Sequence, residues 1–168
     1  FGHSRYGKAA LVAAAFDPRI DGVVANQSGA GGAALNRDKK GETIKQITTR
    51  FPHWFATAYD DYHGREDALP VDQHMLLALI APRPLFLGNA RRDVWSDPNG
   101  TYRAALGADS VYALYGSAGL DQDGMRDFNP SADIAYWLRG GAHGVDDADW
   151  PPILEFLGAH CSTAAPGS

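Results

Sequence analysis

Two patterns alternate along the chain: short apolar runs, and longer segments in which small or apolar residues recur every three to four positions. Strands buried on both faces leave the first signature and amphipathic helices the second. Phe1 to Lys8 reads as a strand end that turns sharply into a helix, with Gly2 and Gly7 flanking the turn and the helix running to Phe16. Small residues dominate this helix, which suits close packing on a sheet, and Asp17-Pro18-Arg19 breaks it. Ile20 to Ala25 is a short apolar run that predicts a buried parallel strand, followed by a Gly- and Ser-rich loop over 26–41. Gly41 and Glu42 open a helix to Arg50, ahead of the aromatic stretch Phe51-Pro52-His53-Trp54-Phe55. Asp72 to Ile80 is a further helix, ended by Pro82 and Pro84. Leu85 to Gly88 predicts the next strand, with a polar loop over 91–100 and a helix from Asn99 to Leu106. Val111 to Tyr115 is a short apolar segment, and Ile134 to Leu138 predicts the last strand. A Gly-rich loop then carries His143, a final helix runs from about Asp147 to His160, and residues 162–168 are expected to be a disordered tail.

Strands alternating with helices indicate a parallel, doubly wound sheet. No internal repeat, low-complexity tract or linker divides the chain. Its 168 residues are enough for one domain and too few for two ordinary ones. A hydrophobic fraction of 45% with 21% charged residues belongs to a globular chain rather than a disordered one. The net charge of −5 argues against nucleic acid as a partner, since phosphate neutralisation needs clustered Lys and Arg. The cluster Arg37 to Lys40 includes an aspartate and is expected on a solvated loop. An acidic ligand stays open, because local charge can oppose net charge. No apolar run approaches the roughly 18 residues that span a membrane. Cys161 is the only cysteine, so no intrachain disulfide forms, and the histidines lack metal-site spacing; neither a metal nor a cofactor is expected.

The segment Gly2-His3-Ser4-Arg5-Tyr6-Gly7-Lys8 carries the most chemistry. A serine hydroxyl becomes a useful nucleophile when a base takes its proton and a tight strand-turn-helix presents it clear of the sheet. The helix that follows also points its positive end at any oxyanion formed there. The spacing is G-x-S-x-x-G, so Tyr6 stands where such elbows often carry a second glycine. A serine that merely N-caps an ordinary helix would look the same locally. The chain order Ser, acid, His and the placement of the loops at strand C-termini favour the functional reading. Asp93 and Asp97 follow the third predicted strand and His143 the fourth; Asp97, before Pro98, is expected to serve as a turn or cap residue. Of the other histidines, His74 sits within a helix, His53 and His63 could line a cleft, His160 lies near the end, and His3 is expected to point away from Ser4.

These blocks resemble the glucuronoyl esterases, carbohydrate esterase family fifteen, whose nucleophile motif reads G-C/H-S-R-x-G-K. The resemblance continues through Ser28 to Leu35, Gly41-Glu42-Thr43, Phe51 to Phe55, Leu69 to His74, Ala81 to Pro84, Asp93 to Pro98 and Gly141 to Gly144, in the family's order and over nearly the whole chain. It implies an α/β-hydrolase fold of which this is the C-terminal portion of the three-layer parallel sheet. Residues 1–168 then form a single incomplete catalytic domain that begins at the nucleophile elbow, inactive as it stands, with buried sheet faces exposed where earlier strands are missing. By resemblance Ser4 is the nucleophile, His143 the general base and Arg5 an oxyanion contact, while Lys8, Glu42 and Trp95 contact the sugar. Gln27 stands where fungal members carry the acid; bacterial members often place it after the later strand, which assigns the role to Asp93. The implied substrate is a uronic-acid ester of a plant cell-wall polysaccharide, and the implied location is periplasmic or secreted. An acetyl-xylan or broader carbohydrate esterase, or an inactive carbohydrate-binding fragment, are the alternatives.

Overall fold

The computed structural model describes residues 1–161, so the expected tail at 162–168 lies outside the described residues. Four strands, β1 (Gly2–His3), β2 (Val23–Asn26), β3 (Leu85–Ala90) and β4 (Ile134–Arg139), form one parallel sheet in the order β1-β2-β3-β4. The register pairs Gly2 with Ala25, Ala25 with Leu87 and Leu87 with Tyr136. Between the strands lie α1 (Arg5–Phe16), α2 (Ile44–Arg50), α3 (Gln73–Ala78) and α4 (Pro98–Leu114), and α5 (Trp150–His160) closes the described chain. Short 3-10 turns fill the segment between α2 and α3.

Successive strand residues face opposite sides, so each strand serves two cores. Val23, Ala25, Leu85, Leu87, Ile134 and Tyr136 pack against Leu11 and Ala14 of α1, Leu77 of α3, and Ala104, Ala105, Ala108 and Tyr112 of α4. Val24, Phe86 and Ala135 pack on the other face against Ile153 and Phe156 of α5. This is the three-layer arrangement expected, with core residues on both faces of the sheet. Most strand residues are buried, with His3, Trp137 and Leu138 partly covered, so little of the predicted exposure of sheet faces is seen among the described residues; exposed apolar side chains include Phe1 beside β1, Val12 and Phe16 of α1 and Leu154 of α5.

The element boundaries correct the sequence reading in several places. The helix expected to open at Gly41 and Glu42 starts at Ile44, where the Thr43 and Gln46 side chains form a capping box. The second strand starts at Val23 rather than Ile20, because Ile20 belongs to the turn closed by its N–H on the Asp17 carbonyl. Val111 to Leu114 is the last turn of α4 rather than a separate apolar segment: Ala104, Ala108 and Tyr112 recur on one face down to that end, and the Tyr112 hydroxyl donates to the Arg83 carbonyl at 2.9 Å. The third and fourth strands reach Ala90 and Arg139, past Gly88 and Leu138, because the β3–β4 ladder continues through Asn89 and Ala90. Loop 37–40 keeps Asp38 and Lys40 exposed, as expected, and is anchored at its start: Arg37 donates to the Leu69 carbonyl and its own N–H reaches the Asp72 carboxylate, while desolvation of the partly buried Lys39 lowers its pKa to about 8.

Candidate active site

In a parallel sheet every strand delivers its C-terminal loop to the same edge. Here those loops carry Ser4 after β1, Gln27 after β2, Asp93 after β3 and His143 after β4.

Ser4 adopts φ 56°, ψ −121°, a conformation that costs a non-glycine residue about 1–3 kcal/mol. Its surroundings enforce it: the Ser4 N–H donates to the Asn26 carbonyl at 2.8 Å, and its carbonyl accepts from Gly7 N–H at 3.0 Å. The turn is so tight that a Cβ on Gly2 would stand 2.1 Å from the Tyr6 carbonyl oxygen. Gly7, one place later than in the shorter elbow motif, takes the close approach instead, with Ser28 and the Gly2 carbonyl against it. Helix α1 begins at Arg5, and since Gly7 and Lys8 already donate to the Ser4 carbonyl, the Arg5 and Tyr6 N–H groups are the ones left without a helical partner at its positive end.

The Ser4 hydroxyl lies 3.1 Å from His143 Nε2, and His143 Nδ1 lies 2.6 Å from Asp93 Oδ2. Asp93 is buried, and its Oδ1 accepts from the Ser96 N–H at 3.2 Å. Burial alone would raise its pKa, but hydrogen bonds from His143 and Ser96 and the His143 charge outweigh this and hold the carboxyl below its ordinary value. An anionic Asp93 at Nδ1 keeps the proton there, leaving Nε2 as the acceptor for the serine hydroxyl. Asp97, the other aspartate of this loop, is committed elsewhere: it accepts from Gly100 N–H at 2.9 Å and Lys40 N–H at 3.1 Å and caps α4.

The His143 loop is braced from two sides. Gln27 exchanges two hydrogen bonds with Gly144, its Nε2 donating to the carbonyl at 2.8 Å and its Oε1 accepting from the N–H at 2.9 Å. Arg139 donates to the carbonyls of Gly140 at 2.7 Å and Gly144 at 2.6 Å, while its Nε pairs with Asp149 at 2.9 Å, both side chains being nearly inaccessible. Gln27, at the position where fungal members carry the acid, thus serves as a hydrogen-bonding brace, and the sequence did not single out Arg139 or Asp149. His3 corrects a second expectation. Rather than pointing away, its ring sits 4.9 Å from the His143 ring and lines the same cavity. Burial first, then repulsion from His143, lowers its pKa and favours the neutral form.

Around Ser4 and His143 opens a cavity of about 640 Å³. Arg5, Lys8, Glu42 and Trp95 all line it. The Glu42 N–H donates to the Trp95 carbonyl at 2.9 Å, joining the two loops that supply them. Lys8 donates to the Ser28 carbonyl, and burial lowers its pKa to about 8 against the opposing charges of Glu42 and Asp93. Burial raises the Glu42 pKa, with Lys8, the Trp95 side chain and Lys39 pulling the other way. The Arg5 guanidinium rests over the Tyr6 ring at the mouth, 5.2 Å from its centroid. Trp95 is half exposed, and Phe51 and Trp54, stacked 3.9 Å apart, complete an aromatic wall. His53 and His63 do not line this cavity; His63 Nε2 instead bonds the Thr48 hydroxyl at 2.8 Å.

Residues 1–116 match the family model described as glucuronyl esterase, fungi. The chain is 46% identical over 166 residues, 98% of its length and 38% of the relative's, to carbohydrate esterase MZ0003 from an unknown prokaryotic organism. It is 36% identical over 122 residues, covering 68% of this chain and 30% of the relative, to 4-O-methyl-glucuronoyl methylesterase 1 of Wolfiporia cocos. A solved promiscuous CE15 esterase from a marine bacterial metagenome superposes with a TM-score of 0.90 at 47% identity, covering 95% of this chain and 41% of that one. The chain thus spans well under half the length of these relatives. By sequence and by fold, the chain belongs to the glucuronyl esterase family and is built as part of an α/β-hydrolase.

Proposed function

We propose that this chain carries the catalytic machinery of a serine carboxylic ester hydrolase acting on glucuronoyl esters. The observation that carries the reading is the hydrogen-bonded relay Ser4–His143–Asp93 opening onto a cavity with a Lys–Glu–Trp set. His143 Nε2 takes the Ser4 proton as Oγ attacks the ester carbonyl, and Asp93 steadies the imidazolium that forms. The N–H groups at the start of α1 and the Arg5 guanidinium stabilise the oxyanion. His143 returns its proton to the departing alcohol, leaving an acyl-Ser4. Water, deprotonated by His143, then attacks the acyl carbonyl; collapse releases the acid and gives the proton back to Ser4.

A uronate ring has hydroxyls that need directed partners and C–H faces that need flat apolar contact. Lys8 and Glu42 supply the first, as cation and acceptor, and the exposed Trp95 face the second. The ester of a glucuronoyl group on a plant cell-wall polysaccharide is the substrate class that fits.

At native length the protein is expected to hydrolyse benzyl glucuronate in preference to acetylated xylan, and Ser4→Ala to abolish this while leaving the fold intact. Preference for acetyl esters retains the relay and removes the uronate assignment. Residual turnover in Ser4→Ala comparable to wild type removes Ser4 as nucleophile.

A further inference from the structure

Behind the active-site wall lies a second hollow, of about 270 Å³. Its rim carries Lys40, Arg91 and Arg126, brought together from three loops far apart in the chain. Among the described residues none of the three has a carboxylate within 4.0 Å or a side-chain hydrogen bond, and all three are exposed. Asp97 also lines the hollow, but both its oxygens already accept backbone N–H groups. Asp123 and Asp127, on the same loop as Arg126, are not among the residues that line it. The hollow is thus a concentrated positive site on a chain whose net charge is −5. Asn99 adds an amide at the start of α4, and Met125 and Leu138 give it an apolar floor. Cations, an amide and an apolar patch together suit an acidic sugar better than a bare inorganic ion.

The position is informative. Residues of segment 93–97 alternate between the two hollows: Asp93, Trp95 and Ser96 line the active site, Val94 and Asp97 the second. Segment 40–42 divides likewise, Lys40 facing the second and Glu42 the first. The two cavities therefore lie on either side of the same short segments, the turn Val94–Ser96 and residues 40–42. A polymer seated at Ser4 reaches both.

We propose that this hollow is a carboxylate-binding subsite, which holds a free, unesterified uronate further along the polysaccharide whose esterified uronate occupies the Ser4 cavity. The proposal rests on the uronate-ester reading above. It explains a need the catalytic cavity cannot meet: the reacting carboxyl is esterified and uncharged, so the acidity of the polymer must be read elsewhere.

The test uses Arg91→Gln/Arg126→Gln in the native-length protein, neither residue belonging to the catalytic cavity. Substrates are benzyl glucuronate and a xylo-oligosaccharide bearing one esterified and one free glucuronate. The double variant is expected to raise KM for the oligosaccharide on the order of five- to tenfold, with kcat unchanged, and to flatten its salt dependence. Benzyl glucuronate kinetics stay as in wild type. An equal effect on both substrates, or none on either, overturns the subsite. In parallel, Ser4→Ala with and without the two substitutions is titrated calorimetrically with a xylo-oligosaccharide bearing two free glucuronates and with its neutral counterpart. Selective loss of acidic-oligosaccharide binding supports the subsite even if wild type fails to hydrolyse benzyl glucuronate, an outcome that removes only the esterase reading. Equal affinity for the acidic and neutral oligosaccharides overturns it.

Discussion

Arg139→Met isolates the electrostatic brace beneath His143. Arg139 and Asp149 are 4% and 1% exposed at the side chain and pair at 2.9 Å, so the substitution strands a carboxylate where water cannot reach it. Breaking a buried pair from one side costs about 3–5 kcal/mol, whereas neutralising both members costs far less. Arg139→Met should therefore lower unfolding free energy by about 3–5 kcal/mol. Adding Asp149→Asn removes the stranded charge and keeps an acceptor for the Asp146 N–H, which now bonds Asp149 at 2.9 Å. The double variant is expected to recover at least about 2 kcal/mol, since an unpaired neutral amide costs less to bury than a carboxylate. Denaturant unfolding of wild type, both single variants and the double variant closes the cycle. Activity should behave differently. The guanidinium also holds the carbonyls of Gly140 and Gly144 on either side of His143, and Asn at 149 does not replace those bonds. The double variant should regain stability while kcat stays depressed. Additive stability effects, with no coupling between the two substitutions, would refute the reasoning; so would full recovery of kcat alongside stability.

Three further outcomes follow from the same geometry. Asp93→Asn should lower kcat on the order of a thousand- to ten-thousandfold with KM little changed, because Nδ1 loses the partner that sets the ring tautomer. Its stability deficit should also depend on pH: a carboxyl held below 3.8 in the fold stabilises above about pH 4 and loses that contribution as pH falls through its folded value, so wild type and variant converge in acid unfolding. Lys8, with a pKa near 8, carries its charge below that pH and loses it above, so KM for a uronate ester should rise through pH 8. Lys8→Arg, which stays charged, should remove that rise, and Lys39→Arg should leave it. Gln27→Leu deletes both bonds to Gly144, and about 1 kcal/mol per bond predicts a stability loss of roughly 2 kcal/mol, with kcat down about tenfold at unchanged KM in steady-state assays.

The alternation of strands and helices was legible along the chain because it rests on local causes. A strand buried on both faces must be apolar throughout, as Leu85 to Leu87 is, and a helix lying on a sheet needs small residues at helical spacing, as α1 and α4 have. Proline and glycine marked the breaks through their own dihedral limits. The order of Ser4, Asp93 and His143, each just past a strand end, could likewise be read without coordinates, as could the role of Asp97 as a cap beside Pro98.

Other features depended on contacts between distant segments. Ser4 and His143 are 139 positions apart, Gln27 and Gly144 117, and Asp93 and His143 50. No local preference encodes such pairs; they follow from the parallel register that lines up β1 to β4 and brings their C-terminal loops to one edge. That register turned His3 toward His143, made Gln27 a brace, and buried Arg139 against Asp149. It also gathered Lys40, Arg91 and Arg126 around one hollow. The sequence by itself determined which residues could form strands, helices and a nucleophile turn, because those choices are settled within a few bonds of each residue. Only the tertiary structure decided which polar side chains meet, because a charge or hydrogen-bond donor is assigned its partner by the packing of the whole sheet.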